Sequence, residues 1–287
     1  NAFGQLGQGA AGGVVATAAL VEGLTGTVAV AAGSDFACAL DNTGAIRCWG
    51  RNHVGQTGTG GATVGADLVV PTAVPELASG VAGITAGGFR ACAIMVGGDV
   101  KCWGSNAAGA LGIGTAGGFE PSPRAVTGVS EVVALGMGGE HSCVITSAGT
   151  LKCWGNNFSG QVGVLPVGSE VQAPVDVPDL VDDLVAVHLG SSFTCVLARD
   201  GNVKCWGAND RGQLGSGIAS APRAAKQPPI GLMQGVVSLA AGFDHACARL
   251  ATGGTRCWGA DTELQAAGNS GDTLVPTLAR HLPGTPH

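Results

Sequence analysis

Ten cysteines form the most regular chemistry-bearing pattern in the sequence. They fall into five pairs whose members are ten residues apart, and the second cysteine of every pair begins a Cys-Trp-Gly tripeptide. Thiols at this spacing can form disulfides, pack as small apolar side chains, or ligate zinc. The pairs are Cys38 and Cys48, Cys92 and Cys102, Cys143 and Cys153, Cys195 and Cys205, and Cys247 and Cys257.

Disulfides inside β-hairpins explain this spacing best. A glycine follows the first cysteine of each pair by six residues, as Gly44 follows Cys38. The spacing predicts a hairpin with a three-residue loop that ends in a left-handed glycine. Counting outward from that loop places the cysteines opposite each other at a non-hydrogen-bonded position, where Cα atoms approach most closely. Zinc prefers closer ligand pairs, and reduced thiols packed in the core are the remaining alternative.

Two histidines beside carboxylates are the main candidates for acid–base chemistry. His141 follows Glu140, and His245 follows Asp244, each two residues before the first cysteine of a pair. The equivalent residues of the other repeats are Phe36, Arg90 and Phe193. The sequence contains no Gly-x-Ser-x-Gly elbow, phosphate-binding loop or His-Glu-x-x-His motif. We therefore expect structural histidines, no catalysis and no cofactor.

An acidic stretch is the one candidate for a metal site. Asp176, Asp179, Asp182 and Asp183 lie close together between the third and fourth cysteine pairs. They lack the alternating spacing of known calcium loops. A solvated edge is therefore the preferred interpretation over a calcium site, and we expect no bound metal.

A cation precedes every Cys-Trp-Gly tripeptide. Strand alternation places it on the same face as the tryptophan two residues later, where its stem can lie over the indole ring. The alternative is a ring of positive charge that binds an acidic partner. These five cations are Arg47, Lys101, Lys152, Lys204 and Arg256. Other aromatic and arginine side chains are not part of the repeat pattern and could contact a partner: Phe3, Phe119, Phe158, Arg51, Arg124 and Arg211.

The elements that position these residues repeat along the chain. Successive Cys-Trp-Gly tripeptides are 51–54 residues apart, a period typical of propellers and solenoids. The first four hairpins are followed by a loop of the form Asn-x-x-Gly-Gln-x-Gly, with Ala110 for Gln in the second, then by a proline-bearing strand and a short further strand. The asparagines and glycines are expected to hold the loop. The period therefore predicts four strands per repeat.

Composition limits the classes of function. The 287 residues carry a net charge of −6 with only 12% charged side chains, which disfavours a nucleic-acid surface. A hydrophobic content of 45% excludes disorder. Residues 9–33 are almost uncharged, but they align with the strands between later hairpins, so no membrane span is expected. Paired cysteines indicate an oxidising compartment, extracellular or at the cell surface.

The repeated hairpin, Trp-Gly and Asn-x-x-Gly-Gln-Leu-Gly loop resembles the regulator of chromosome condensation repeat. The resemblance implies a β-propeller, usually of seven blades with four antiparallel strands each. Relatives include an exchange factor for a small GTPase, ubiquitin-ligase subunits and secreted bacterial proteins, one of them a β-lactamase inhibitor. The cysteine pair in each repeat is similar to the secreted members.

We therefore expect one all-β domain over residues 1–287, a propeller of about five complete four-stranded blades. The N-terminal half-repeat NAFGQLG is expected to close the ring by completing the last blade, whose own loop has decayed to DTELQAA. The predicted function is a secreted or cell-surface, non-catalytic module that binds a protein or glycan through loops between blades. The alternatives are a guanine-nucleotide exchange factor and a secreted enzyme inhibitor.

Overall fold

The computed structural model describes residues 1–180, 183–232, 234–262 and 271–279. Within these ranges the chain forms five antiparallel four-stranded sheets, each built from strands consecutive in sequence. The predicted all-β propeller of five four-stranded blades is thereby confirmed. In chain order the strands are β1 Thr27–Ala32, β2 Phe36–Asp41, β3 Ile46–Gly50, β4 Leu68–Ala73, β5 Val81–Gly87, β6 Arg90–Met95, β7 Val100–Ser105, β8 Phe119–Ala125, β9 Val132–Met137, β10 His141–Thr146, β11 Leu151–Asn156, β12 Glu170–Asp176, β13 Leu184–Leu189, β14 Phe193–Ala198, β15 Val203–Asn209, β16 Ser220–Gln227, β17 Val236–Ala241, β18 His245–Leu250, β19 Thr255–Gly259 and β20 Thr273–Leu278.

Helix contributes little to the described part of the chain. It consists there of three 3₁₀ turns of three residues each, Gly61–Thr63, Pro75–Leu77 and Ala107–Gly109. None of these is long enough to cross a membrane.

The central hairpin of each blade has the predicted register. In the first blade Cys38 lies opposite Cys48, and Gly44 closes the three-residue loop with a φ of 82°. The backbone N–H of Asp41 donates to the carbonyl of Ala45 (3.0 Å), and that of Gly44 donates back to the Asp41 carbonyl (3.1 Å). All five cysteine pairs form disulfides within their own hairpins, with Cα–Cα separations of 4.0–4.1 Å. The disulfide prediction is thus confirmed, and the thiol and zinc alternatives are wrong.

The first strands of consecutive blades pack side by side, from β1 through β5, β9 and β13 to β17. The C-terminal ends of all five line one opening, which we call the central channel. Because the strands alternate in direction, the connections divide between two faces. We call upper the face that carries the turns between first and second strands and the loops between third and fourth strands. The lower face carries the central hairpin loops and the connections between blades. Backbone hydrogen bonds join neighbouring upper turns, as from Ser34 N to Gly88 O (2.9 Å) and Ser191 N to Phe243 O (2.7 Å).

The tryptophan of each blade joins that blade to the Asn-x-x-Gly-Gln-x-Gly loop that precedes it. The indole Nε1 of Trp206 donates to the carbonyl of Gln161 (3.0 Å), and Trp258 bonds Gln213 in the same way (2.9 Å). Glycine is required in this loop because a Cβ on Gly163 would lie 2.8 Å from Trp206 Nε1. The two hallmark motifs of the repeat therefore form one joint between blades, with the ring wholly buried.

The same joint explains why the predicted position of the N-terminal segment is wrong. Strand β20, from the chain's own tail, pairs with β19 and completes the fifth blade. The N-terminal loop instead contacts the first blade, where Trp49 Nε1 donates to the carbonyl of Gln5 (2.9 Å). NAFGQLG thus docks on the tryptophan that follows it in sequence, as every later loop does. Most of the decayed segment at 261–267 lies outside the described residues.

A strand predicted over VVATAALVEGL, residues 14–24, is also absent from the structure. In every blade the equivalent strand pairs with the third strand of its own central hairpin. Residues 1–13 form no strand in the structure, and residues 14–24 are paired with none. Val14 and Leu20 are accordingly almost fully exposed.

Candidate interaction face

The upper face carries the exposed phenylalanines. Phe89 and Phe243 lie in turns between first and second strands, Phe158 lies in the loop after β11, and Phe119 begins β8 at its upper end. Their exposed fractions are 38% for Phe89, 43% for Phe119, 56% for Phe158 and 74% for Phe243. The remaining three are buried or half-buried, so every exposed phenylalanine of the chain lies on one face.

Rigid loops present these side chains. In the loop after β11, the buried Asn157 side chain donates to the carbonyls of Val164 (3.0 Å) and Pro166 (3.1 Å). Its Oδ1 accepts the backbone N–H of Val162 (3.1 Å). Asn52, Asn106 and Asn209 make equivalent bonds. The expectation that the asparagines hold the loops is confirmed, and exposed residues such as Phe158 stand on a fixed backbone.

Arg51 organises the upper side of the first blade. Its guanidinium lies 4.6 Å from the ring centroid of Phe3 and 5.2 Å from that of Phe89. Its Nη1 also forms a salt bridge with Asp35 (3.1 Å). The arrangement links the N-terminal loop, the first blade and the second blade. Arg51 and Phe3, both singled out from the sequence, are therefore neighbours on this face.

A cleft of about 250 Å³ opens on the upper face between the second, third and fourth blades. Phe89, Glu140 and Ser192 lie along it, and the Glu140 carboxylate accepts a hydrogen bond from the side chain of Asn156 (3.0 Å). Arg90 also lines the cleft. The polar lining and the phenyl ring together suit a polar side chain of a protein partner.

Arg90 is a buried clamp between the second and third blades. Its Nη2 donates to the carbonyls of His141 (2.7 Å) and Gly138 (3.2 Å), and its Nη1 donates to the carbonyl of Gly139. Burial lowers the pKa of Arg90 to about 10, so the guanidinium stays charged at neutral pH. The group rigidifies the rim of the cleft because its Nη1 and Nη2 donors bond carbonyls of the third blade, while its buried Nε has no hydrogen-bond partner among the described residues.

The two candidate acid–base histidines differ in environment. His141 is fully buried, and its Nε2 lies 2.8 Å from Thr194 Oγ1 in the next blade. Burial, followed by the charge of Arg90, lowers the pKa of His141 to about 3, so the ring is neutral at physiological pH. Burial also lowers the pKa of His245, while Asp244 and Asp261 oppose that shift. The position of His141 supports the structural role predicted from the sequence.

The five strand cations lie away from the upper face. They occupy third strands near the central hairpin loops, so they belong to the lower half of the blades. The cation–π contacts found among the described residues belong to Arg51 and join none of these five cations to an indole ring. Lys152 instead forms a salt bridge with Asp176 (2.8 Å), and Lys204 donates to the carbonyl of Asp179 (3.2 Å). A binding role for the set Arg47, Lys101, Lys152, Lys204 and Arg256 stays a prediction.

Arg211, by contrast, is on the upper face, in the loop after β15, where its Nε lies 3.4 Å from Asp272. Arg124 is on β8 opposite Cys102, towards the lower half. The structure therefore brings Arg51 and Arg211 onto the upper face, and it separates both from the strand cations.

The acidic stretch between the third and fourth blades is used in surface ion pairs. Asp176 pairs with Lys152, and Asp183 pairs with Arg199 (2.8 Å). Asp182 lies outside the described residues. In the part of the chain that is described, no group of three His, Cys, Asp or Glu side chains is arranged to hold a metal ion.

Sequence reasoning missed Phe89, Phe243 and the clamp Arg90. A signal for the phenylalanines was present, since both fall within three residues of the inner Gly-rich segment of their repeats, at the turn that precedes the first cysteine. Arg90 stands where other repeats have Phe or His, and an arginine at a buried position signals bonds to a neighbouring blade.

Sequence comparison connects the repeats with a known family. Five segments match the regulator of chromosome condensation (RCC1) repeat, at residues 28–56, 81–110, 132–161, 184–213 and 236–265, and a second match covers 97–145. Human E3 ubiquitin-protein ligase HERC2 is 30% identical over 86% of this chain, which corresponds to 5% of HERC2. The mitochondrial RCC1 domain-containing protein RUG3 of Arabidopsis thaliana is 30% identical over 65% of this chain and 43% of RUG3. The chain thus spans less than half the length of these relatives.

Solved structures show the same architecture. Human WBSCR16 superposes with a TM-score of 0.72 at 18% identity, covering 87% of this chain and 65% of WBSCR16. Yeast RCC1 (Prp20), from its complex with Kap60, gives a TM-score of 0.58 at 21% identity over 90% of this chain and 76% of that one. The similarity to these two structures shows the fold alone. With five repeats in register along the sequence, the chain belongs to the regulator of chromosome condensation (RCC1) repeat family.

Proposed function

We propose that this protein is a non-catalytic binding module that recognises a protein partner with its upper face. The observation that carries the proposal is the placement of every exposed phenylalanine on that face. Aromatic side chains and arginine dominate the energetics of protein interfaces. Arg51 and Arg211 lie on the same face and belong to the proposed surface.

The loops support this choice of face. The upper loops differ between repeats at the position after the buried asparagine, where the sequence has His53, Ala107, Phe158 and Asp210. Of these four residues Ala107 is half-buried and the others are exposed. The buried asparagines keep the backbone of these loops fixed. Function placed on variable loops above a rigid scaffold is common among binding proteins. Preorganised loops also lower the entropic cost of association.

Other members of the family bind proteins. The structure of Prp20p from Saccharomyces cerevisiae is described together with its binding properties to Gsp1p and histones. That precedent supports a protein partner. We further propose an extracellular or cell-surface location, because five disulfides persist only under oxidising conditions.

The lower end of the channel also exposes apolar side chains, and it is therefore compared with the upper face. Its first strands expose Val133 and Val237, and the adjacent hairpin loop exposes Val96. Val133 and Val237 occupy equivalent positions of their blades, and these aliphatic residues include no aromatic or arginine side chain of the kind found on the upper face. They allow a matched control in which the same number of apolar side chains is replaced on the opposite face.

The test is quantitative mass spectrometry of proteins captured by the immobilised propeller from the medium and surface extract of its source cells. The upper variant combines Phe89→Ser, Phe158→Ser and Phe243→Ser, and the lower variant combines Val96→Ser, Val133→Ser and Val237→Ser. We expect the upper variant to lose the specifically captured protein and the lower variant to retain it. The opposite pattern, or no specific capture by the wild type, would refute the proposal.

The exchange-factor and inhibitor alternatives have direct assays. Accelerated release of nucleotide from a small GTPase would establish the first, and stoichiometric loss of activity of an extracellular enzyme would establish the second. The inhibitor alternative is compatible with upper-face binding, whereas the intracellular exchange factor conflicts with the proposed oxidising compartment.

A further inference from the structure

The charges of the described residues, apart from Glu22 in the segment before β1, are divided unevenly between the two halves of the blades. The upper half carries nine acidic and four basic side chains, whereas the lower half carries eight acidic and nine basic side chains. The upper acids are Asp35, Asp67, Glu120, Glu140, Glu170, Asp210, Asp244, Asp261 and Asp272, and the upper cations are Arg51, Arg90, Arg211 and Arg223. The lower acids are Asp41, Glu76, Asp99, Glu131, Asp176, Asp179, Asp183 and Asp200, and the lower cations are Arg47, Lys101, Arg124, Lys152, Arg199, Lys204, Lys226, Arg249 and Arg256. The negative net charge therefore belongs mainly to the upper half.

Three of the four upper cations are already engaged within the fold. Arg51 pairs with Asp35 (3.1 Å), and Arg211 lies 3.4 Å from Asp272. Arg90 is buried and donates to backbone carbonyls. Arg90 and Arg211 also interact with the nearest remaining carboxylates, since Glu140 acts to raise the pKa of Arg90 and Arg211 acts to lower that of Asp244. With four cations for nine acids, the upper half nevertheless keeps an excess of negative charge.

Five upper acids form no salt bridge within the described part of the chain: Asp67, Glu140, Glu170, Asp210 and Asp244. Two of them meet at the boundary between the fourth and fifth blades. Burial, and next the negative charge of Asp210, raise the pKa of Asp244. Gln213, Arg211 and His245 act in the opposite direction on the half-buried Asp244, whereas Asp210 is exposed to solvent. The exposed carboxylate of Asp210 is therefore the member of this pair that a partner's cation reaches first.

Two exposed phenylalanines share a cleft or a turn with two of these acids. Phe89 and Glu140 line the same cleft, and Phe243 precedes Asp244 in one turn. A lysine or arginine side chain satisfies both groups, since its aliphatic stem packs on an aromatic ring while its charged head meets a carboxylate. An acidic or purely apolar partner would satisfy at most one of them.

We propose that the upper face binds a basic protein segment in which lysines or arginines are interspersed with apolar residues. The inference rests on the proposed function, which requires only that the upper face bind some protein. Charge complementarity of this kind favours rapid association and makes affinity depend on salt.

The test uses isothermal titration calorimetry with three synthetic peptides of equal length and equal leucine content. The charged residues are all lysine in the first peptide, all glutamate in the second, and a mixture of both in the third. The upper variant combines Asp67→Asn, Glu140→Gln, Glu170→Gln and Asp244→Asn. The lower variant combines Glu76→Gln, Asp99→Asn, Glu131→Gln and Asp200→Asn, so both variants change the net charge equally. Circular dichroism confirms that both variants are folded.

We expect the lysine peptide to bind the wild type best, with an affinity that falls as salt rises. The upper variant should lose about tenfold or more of this affinity, and the lower variant should stay within about twofold of the wild type. Equal losses in the two variants, or a preference for the glutamate peptide, would overturn the inference. A natural partner that binds the upper face without salt dependence would refute the basic segment and leave the proposed function standing.

Discussion

At the scale of single residues, His141 links stability to pH. Its pKa is about 3 in the folded protein because of burial and Arg90, against 6.5 for an ordinary histidine. Between these values the unfolded chain binds the proton and the folded chain does not. Stability is therefore unaffected by this group above pH 6.5 and falls as the pH drops from 6.5 towards 3, by at most about 1.4 kcal/mol per unit.

The variant His141→Phe tests this linkage, since Phe36 and Phe193 occupy the same position in other repeats. Urea denaturation at several pH values should show that the wild type loses about 2 kcal/mol more than the variant between pH 6.5 and 5. Equal losses would mean that His141 is protonated in the folded state and that the environment described for it is incorrect.

A second residue-scale prediction concerns the hairpin glycines. Gly201 and Gly253 occupy equivalent loops with φ values of 83° and 94°, so alanine at either costs about 1–2 kcal/mol of backbone strain. A Cβ on Gly201 would also lie 2.8 Å from Gly235 N in the next blade, whereas one on Gly253 meets open space. Gly201→Ala should therefore lose about 1 kcal/mol more than Gly253→Ala in urea denaturation. Equal costs would show that the blades are not packed closely at this loop.

At the scale of the hairpin, each disulfide constrains only a short stretch of chain. The double change Cys195→Ala and Cys205→Ala should cost about 3 kcal/mol at most, as expected for closing a loop of this length. The variant should remain a folded propeller, because the joint between Trp206 and Gln161 does not depend on the bridge. Urea denaturation and near-ultraviolet circular dichroism measure the loss. A variant without tertiary signal at neutral pH would contradict the local role of the bridge.

The sequence was most informative about these elements because their register is fixed by local chemistry. The constant spacing of Cys38, Gly44 and Cys48 determines the hairpin, the opposed cysteines and the small residue facing each tryptophan. This spacing could not reveal which carbonyl accepts the hydrogen bond from the indole Nε1, because that hydrogen bond joins residues about 45 positions apart in neighbouring blades. For the same reason the N-terminal loop was placed on the wrong blade.

At the scale of the whole molecule, the division of aromatic and charged residues between two faces emerges only from the topology. Phe89 and Phe243 lie in the turn before the first cysteine of their repeats, whereas Phe158 lies in the loop after the third strand, so one sequence period does not group all three. The antiparallel blades bring their turns and loops to one side. The single domain predicted for residues 1–287 stays a prediction.

The central claim is that the upper face is the binding surface. Hydroxyl-radical footprinting of the complex with a captured partner, read by mass spectrometry, tests it most directly because phenylalanine reacts readily when exposed. We predict that Phe89, Phe158 and Phe243 become protected while Val96 and Val133 at the lower end of the channel keep their reactivity. Protection of the two valines with unchanged phenylalanines would contradict the account.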